Sequence, residues 1–302
     1  MIEIKNVTKN FDGYEAVSHM NLTIESGIVY GMLGTNGAGK STLLRMISGV
    51  MKPDEGEVLF DGQNVYDNPQ VKSKLFFISD DQYFVPHSNA NSTAEYLKVC
   101  YPNFDKAKFD KLMTQFGLDG KRKIDTFSKG MKKQLAILLG ICCNTEYLLC
   151  DETFDGLDSV MRQAVKSLFA KEMSERDFTP VIASHNLREI EDICDTVGLL
   201  HKGGVLMAKD VDDAKEDLKK IQCVFRQEED FETFSGKCKV INDKKNGSMH
   251  LMIVRDSEET IHKNMEELKP VYYEILSLSL EEVFICETEV VGYDIKKLIM
   301  ED

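Results

Sequence analysis

Apolar residues recur along this chain in three patterns. Strict alternation with polar neighbours marks IEIKNV and MNLTIESG near the start and GEVLFDGQ from residue 56, as expected of strands with one buried face. Unbroken apolar runs are of a different kind. IVYGML at 28–33, YLLC at 147–150 and PVIAS at 180–184 lack a polar face, as do strands covered by helices on both sides. Helical spacing fills the intervals: Leu43, Leu44 and Ile47 share a face that Gly49 ends, and Met131, Leu135, Leu138 and Cys142 share another behind Ser128 as N-cap. Leu187, Ile190 and Cys194 form a third stripe, and residues from about 91 to 144 read as mostly helical, with STAEYLKVC and FDKLMTQFG among them. VGLLHKGGVLMA reads as a strand pair across a Gly-containing turn. The pattern predicts an α/β domain: a parallel sheet between helices, with an antiparallel sheet beside it.

From about residue 221 the texture changes. IQCVF, KCKVIN, SMHLMIV and VYYEILSL read as strands, KKNG as a hairpin turn, and EETIHKNMEEL as an amphipathic helix. A helix at EEDFETF completes βαββαβ, a small α+β domain of ferredoxin-like order. Two domains are therefore expected, 1–220 and 221–302, with a helical subdomain over about 91–144 inside the first.

Composition narrows the partners. A formal charge of −14 and a pI near 5.0 disfavour nucleic acid, whose binding depends on neutralising phosphates. MIEIKNVTKN has neither a basic start nor an apolar core, so a cytoplasmic location is expected. The longest apolar stretch, around 136–143, is far short of the roughly 20 residues that cross a bilayer, so any membrane role requires a partner. The 8 cysteines never form CxxC, and several sit in apolar patterns, as small buried hydrophobes do in a reducing compartment.

The chemistry concentrates in three stretches. GTNGAGKS, Gly34 to Ser41, follows a strand and opens a helix, and it satisfies GxxxxGK[ST]. Its glycines let backbone N–H groups converge on phosphate, Lys40 neutralises the β and γ groups, and Ser41 can ligate Mg²⁺. Nucleotide contacts are expected from Gly34, Asn36, Gly37, Gly39, Lys40, Ser41 and Thr42. LLCDETFDGLDS places Asp151 and Glu152 where a buried strand ends. Asp151 is assigned to the Mg²⁺ shell and Glu152 is the general base for the attacking water. FSKGM offers Ser128, the Gly130 backbone and a helix N-terminus to an anion, although an ordinary capped helix has the same appearance.

Taken in order, GTNGAGKS, FSKGM, YLLCDE, GLDS and IASH resemble the Walker A, signature, Walker B, D-loop and switch-histidine motifs of ATP-binding subunits of ABC transporters, over about residues 1–220. The resemblance implies a P-loop NTPase core with an antiparallel β subdomain and a helical subdomain, ATP and Mg²⁺ as cofactors, and ATP hydrolysis. It further implies two ATP-binding subunits, alike or different, packed head to tail. Ser128 and Gly130 would then meet the γ-phosphate held by Lys40 of the partner subunit, and Asp158 would link the two sites. His185 is implied as the γ-phosphate sensor, and Phe11 in VTKNF as the ring stacked on adenine, with Tyr14 as the other candidate. The signature departs from LSGGQ at Lys129 and Met131. At the Q-loop, LFFISDDQYF puts Asp80 in the glutamine position, a metal ligand of shorter reach and negative charge, while Gln82 slightly later is the competing assignment. SLEEVFI resembles the closing motif of exporter-type subunits that serve a separate integral-membrane permease. That resemblance implies a peripheral location on the inner face of the membrane. A soluble ABC ATPase and a low-turnover ATP-gated clamp share the same motifs. The tail and acidic charge weigh against the first, and the retention of Lys40, Asp151, Glu152 and His185 weighs against the second.

Overall fold

The alternating residues at the start fold as a hairpin. In the computed structural model, which describes residues 1–216 and 218–290, β1 (Ile2–Phe11) pairs antiparallel with β2 (Tyr14–Ile24), and Ile2 and Ile4 face Ile24 and Leu22. Asp12 and Gly13 both take positive φ between them, as a two-residue hairpin turn requires. The buried run then gives β3 (Tyr30–Leu33) and, after the glycine loop, α1 (Lys40–Ile47). β4 (Glu55–Phe60) and β5 (Gln63–Asn64) complete an antiparallel sheet of order β2-β1-β4-β5. Leu43, Leu44, Met46 and Ile47 of α1 share one core cluster with residues of that sheet and of the parallel sheet, so the helix behind the glycine loop is anchored by both.

A short α2 (Pro69–Lys72) leads into β6 (Leu75–Ile78). The helical segment follows as α3 (Ala90–Cys100), α4 (Lys106–Gln115) and α5 (Lys129–Cys142), capped in turn by Asn89, Asp105 and Ser128. Next come β7 (Tyr147–Asp151), α6 (Ser159–Glu175), β8 (Thr179–Ser184), α7 (Leu187–Ile193), β9 (Thr196–His201) and β10 (Gly204–Asp210). The second sheet has the order β10-β9-β3-β8-β7-β6, and β9, β3, β8, β7 and β6 run parallel. Leu33 lies beside Ser184, and Ala183 beside Asp151, so the loop after β3 and the residues ending β7 and β8 emerge together at one edge, where parallel α/β sheets hold ligands.

The chain divides into two compact units between Ala208 and Lys209. This division precedes the expected boundary at 220/221. α8 (Val211–Glu216) instead packs against the last helix of the second unit, a tertiary contact that the polar stretch VDDAKEDLKK does not advertise. In that unit β11 (Lys219–Val224), α9 (Glu228–Lys237), β12 (Val240–Asn246), β13 (Met249–Val254), α10 (Glu258–Leu268) and β14 (Tyr272–Leu276) follow the βαββαβ order. They form an antiparallel sheet of order β12-β13-β11-β14, and α11 (Leu280–Val290) follows. The hairpin turn lies at Gly247, after β12 has run through Lys244 and Lys245. The expected second domain extended to 302; residues 291–302 lie outside the described residues.

Candidate active site

The glycine loop is shaped by close backbone approach. Gly39, the N-cap of α1, sits at φ +100, and a Cβ there would stand 2.5 Å from the Ala16 carbonyl oxygen. A Cβ on Gly34 would meet the Leu200 carbonyl oxygen at 2.6 Å. Within this arch Lys40 is only 5% exposed; its Nζ donates to the carbonyls of Gly34 (2.6 Å) and Thr35 (3.3 Å). Burial pushes its pKa down, against the opposing pull of Glu152 and Asp151. Asn36 and Gly37 are exposed on the arch, and Thr42 lies half-buried in the first turn of α1. The Tyr14 hydroxyl donates to the Gly37 carbonyl at 3.0 Å, tying the hairpin to the loop.

Two acids arrive from β7. Asp151 is buried, and its Oδ1 accepts from the Ser41 hydroxyl at 3.0 Å. Burial pushes its carboxyl pKa up; the Ser41 bond opposes this, and the negative charges of Glu152 and Asp80 add to it. Glu152 takes φ +48, and its N–H still bonds the Ala183 carbonyl at 2.9 Å. Its carboxylate reaches His185 Nδ1 at 2.8 Å through Oε2 and stands 3.7 Å from Lys40 Nζ through Oε1. Lysine, hydroxyl, two acids and imidazole thus converge from the ends of three neighbouring strands. Ser41 and Asp151 present hard oxygens of the kind Mg²⁺ prefers. Among the described residues no cluster of three or more His, Cys, Asp or Glu forms a closed metal cage. A cation here would therefore take its remaining ligands from phosphate and water, as Mg²⁺ does.

The other expected residues lie outside this convergence. Ser128 is exposed and accepts from the Met131 N–H at 3.2 Å; a Cβ on Gly130 would stand 3.3 Å from the Gly156 carbonyl oxygen, which puts the tip of α5 beside the loop after Glu152. Asp158 caps α6, accepting from the Met161 N–H at 2.8 Å. Phe11 faces Tyr14 across the hairpin, with Lys9 Nζ 5.8 Å from its ring centre. Asp80 is 58% exposed, 3.9 Å from Lys133 Nζ. The Gln82 amide nitrogen and oxygen are both buried and find no hydrogen-bond partner among the described residues; they line a groove instead.

The chain is similar to known proteins. The family profile described as ABC transporter matches residues 17–155. Over 287 residues the chain is 32% identical to the ABC transporter ATP-binding protein YtrB of Bacillus subtilis (strain 168), spanning 95% of this chain and 98% of that protein. The chain belongs to the ABC transporter ATP-binding proteins. It is also 32% identical over 213 residues to the bacitracin transport ATP-binding protein BcrA of Bacillus licheniformis, covering 68% of each. Among solved structures, the dimeric post-hydrolysis state of the ATP-binding cassette MJ0796, bound to ADP and Pi, shares the fold. Its TM-score is 0.63 at 24% identity, over 70% of this chain and 98% of that one.

As an ABC ATP-binding subunit, the protein binds and hydrolyses ATP. Two residues beside Asp151 and Glu152 are not among those expected from the sequence. Lys133, 2% exposed in α5, donates to the Glu152 carbonyl at 2.5 Å, and Asp155 pairs with Lys129 at 3.4 Å. A signal for Lys133 was available: LAILLGICC follows it closely without a polar residue, so this helix is buried all round and a lysine near its start needs partners.

Proposed function

We propose that this subunit powers an exporter. ATP closes two such subunits head to tail, hydrolysis reopens them, and the cycle drives a separate polytopic permease. The observation that carries the catalytic half is the Glu152 carboxylate, 2.8 Å from His185 and 3.7 Å from Lys40 at the end of β7. In this reading the N–H groups of the arch and the start of α1 hold the phosphates, and Lys40 exchanges its two carbonyl partners for phosphate oxygens. Ser41 and Asp151, with Asp80 nearby, would hold Mg²⁺, which when bound draws negative charge off the β- and γ-phosphates. Glu152 takes a proton from water, whose oxygen attacks the γ-phosphorus while the bond to the bridging oxygen breaks. His185 keeps that carboxylate aimed and senses the γ-phosphate. Ser128 and Gly130 serve the partner subunit's nucleotide, Asp158 lies between the two sites, and Phe11 stacks on adenine. The second subunit is another copy or a related chain.

The transport half rests on a groove of about 540 Å³ between the segment after β6 and helices α3 and α5, lined by Phe77, Gln82, Tyr83, Val85, Tyr96 and Leu97. Tyr83 is 81% exposed and Tyr96 is 66% exposed, an apolar patch of the kind that marks a partner surface. A short helix from a permease suits it, and no helix among the described residues is long and apolar enough to cross a membrane itself. The subunit would then sit on the cytoplasmic face of the membrane through that permease. The relative named for bacitracin transport supports a role in transport, and the resemblance of SLEEVFI, at the start of α11, supports export.

Glu152→Gln tests the catalytic half. ATP binding should persist, turnover should fall at least about 100-fold, and an ATP-dependent dimer should accumulate in mass measurements. Turnover at the parent rate would remove Glu152 from its role.

A further inference from the structure

We propose that Lys133 is a positioning residue for the general base: its ammonium holds the Glu152 peptide in the left-handed turn that aims the carboxylate at His185 and Lys40. The inference rests on the reading of Glu152 as that base. A lysine 2% exposed is costly unless its charge is matched, and here the partners are specific. Nζ donates to the Glu152 carbonyl at 2.5 Å, while Asp155 Oδ2 lies at 3.8 Å and Asp80 Oδ1 at 3.9 Å. Glu152 itself sits at φ +48, a conformation that a residue with a side chain holds only when its surroundings enforce it. Both flanking peptides are fixed. The Glu152 N–H is bound by the Ala183 carbonyl at 2.9 Å, and the Glu152 carbonyl is bound by Lys133. With the backbone clamped at both ends, the side chain leaves in one direction, toward His185 and Lys40.

The choice of side chain fits the task. An ammonium is a compact charge, and this one donates to the Glu152 carbonyl while two carboxylates at ion-pair distance match its charge. Both carboxylates belong to loops that bracket the site. Asp155 follows β7 and also pairs with Lys129 at the tip of α5, and Asp80 follows β6, just before the stretch Gln82 to Val85 that lines the groove. Lys133 therefore stands behind the base, sharing its charge with the groove-lining segment.

The experiment compares Lys133→Met, Glu152→Gln and the double variant as full chains, measuring kcat, KM and the stoichiometry of ATP binding. Lys133→Met should lower kcat about 10- to 100-fold, the penalty of a misaimed group. KM should move less than about 3-fold, and one ATP should still bind per chain, which separates misaiming from partial unfolding. Because Lys133 acts through Glu152, adding Lys133→Met to Glu152→Gln should cost nothing further. If Lys133→Met fails to stay folded, Lys133→Gln, which keeps a donor without the charge, should lose about 3- to 10-fold in kcat with the same lack of additivity. A parent-like kcat in Lys133→Met, or full additivity in the double variant, overturns the inference. With Glu152→Gln inactive and Lys133→Met at the parent rate, only this inference falls; with Glu152→Gln turning over normally, the assigned base falls with it.

Discussion

Around Glu152, at the end of a parallel strand in the first unit, Lys40, Lys133 and Asp151 are all buried. The second unit centres on Ile221, Cys223, Phe234, Met252, Val254, Ile261 and Met265. Among its described residues His250 and Asn264 are the buried polar side chains, and pairs such as Lys220–Glu282 remain partly open to solvent. Buried charge is poor cement, since desolvation offsets most of its attraction. The first unit therefore hides charges whose burial adds little to stability, whereas the antiparallel sheet of the second is built for packing. The carboxyl groups record the same contrast. Burial raises Asp151 and Glu189 in the first unit, while in the second the Lys220 bond and the Ser279 N–H outweigh burial and hold Glu282 down. Asp155 joins the lowered group because Lys129 and Lys133 outweigh its burial.

The largest effect that probes this contrast is Lys40→Met. Turnover should drop about 100- to 1,000-fold, the scale of losing a charged phosphate clamp, while the melting temperature stays near the parent's, since relief of the buried cation's desolvation offsets the carbonyl bonds it gives up. A lower melting temperature would show that Lys40 supports the fold. Met252→Ala should do the reverse. Emptying a fully buried site costs about 2–5 kcal/mol in the second unit, read by calorimetry, and turnover below the transition should stay at the parent level. A matching fall in turnover would break the division of labour.

The smallest effects are pH-dependent and opposite in sign. The Glu189 pKa in the folded state lies above its ordinary 4.5, so its ionised form weighs on stability at neutral pH, and acid relieves it. Glu189→Gln should unfold at higher urea than the parent at pH 7, and the gap should close as pH falls through the raised value toward 4.5. The Glu282 pKa lies below 4.5, so its contribution is complete above that value and is lost as pH falls through the lower one. Lys220→Ala should cost under about 1 kcal/mol at neutral pH, and that gap too should close in acid. Equal gaps at all pH values would show that neither carboxylate is coupled to folding.

The residues with fixed spacing were legible from the chain. Lys40, Ser41, Asp151, Glu152 and His185 sit at strand ends that apolar runs delimit, and those strands are adjacent in the sheet. EETIHKNMEEL spans α10 from end to end because its apolar stripe is uninterrupted between Ser257 as N-cap and Lys269 in the left-handed region. What escaped depends on contacts across long separations. The apolar run after Lys133 signals that it is buried, but not that its partner is the Glu152 carbonyl, 19 residues away. The tie of Tyr14 to Gly37 depends on where the hairpin meets the loop. The second unit starts earlier than its first strand suggests because α8 finds α11.

The place of β3 has a consequence for biogenesis. Tyr30 is made early, yet its two neighbours in the sheet are Val181 and Thr196, made much later. Until the ribosome has released both, the strand leading into the glycine arch has bare edges on either side, a slow, long-range closure that shapes folding speed. A growing chain cannot use nucleotide to stabilise itself, and ATP rewards only a first unit whose synthesis has passed β9. Ribosome-bound chains should accordingly retain nucleotide only once β9 has left the exit tunnel.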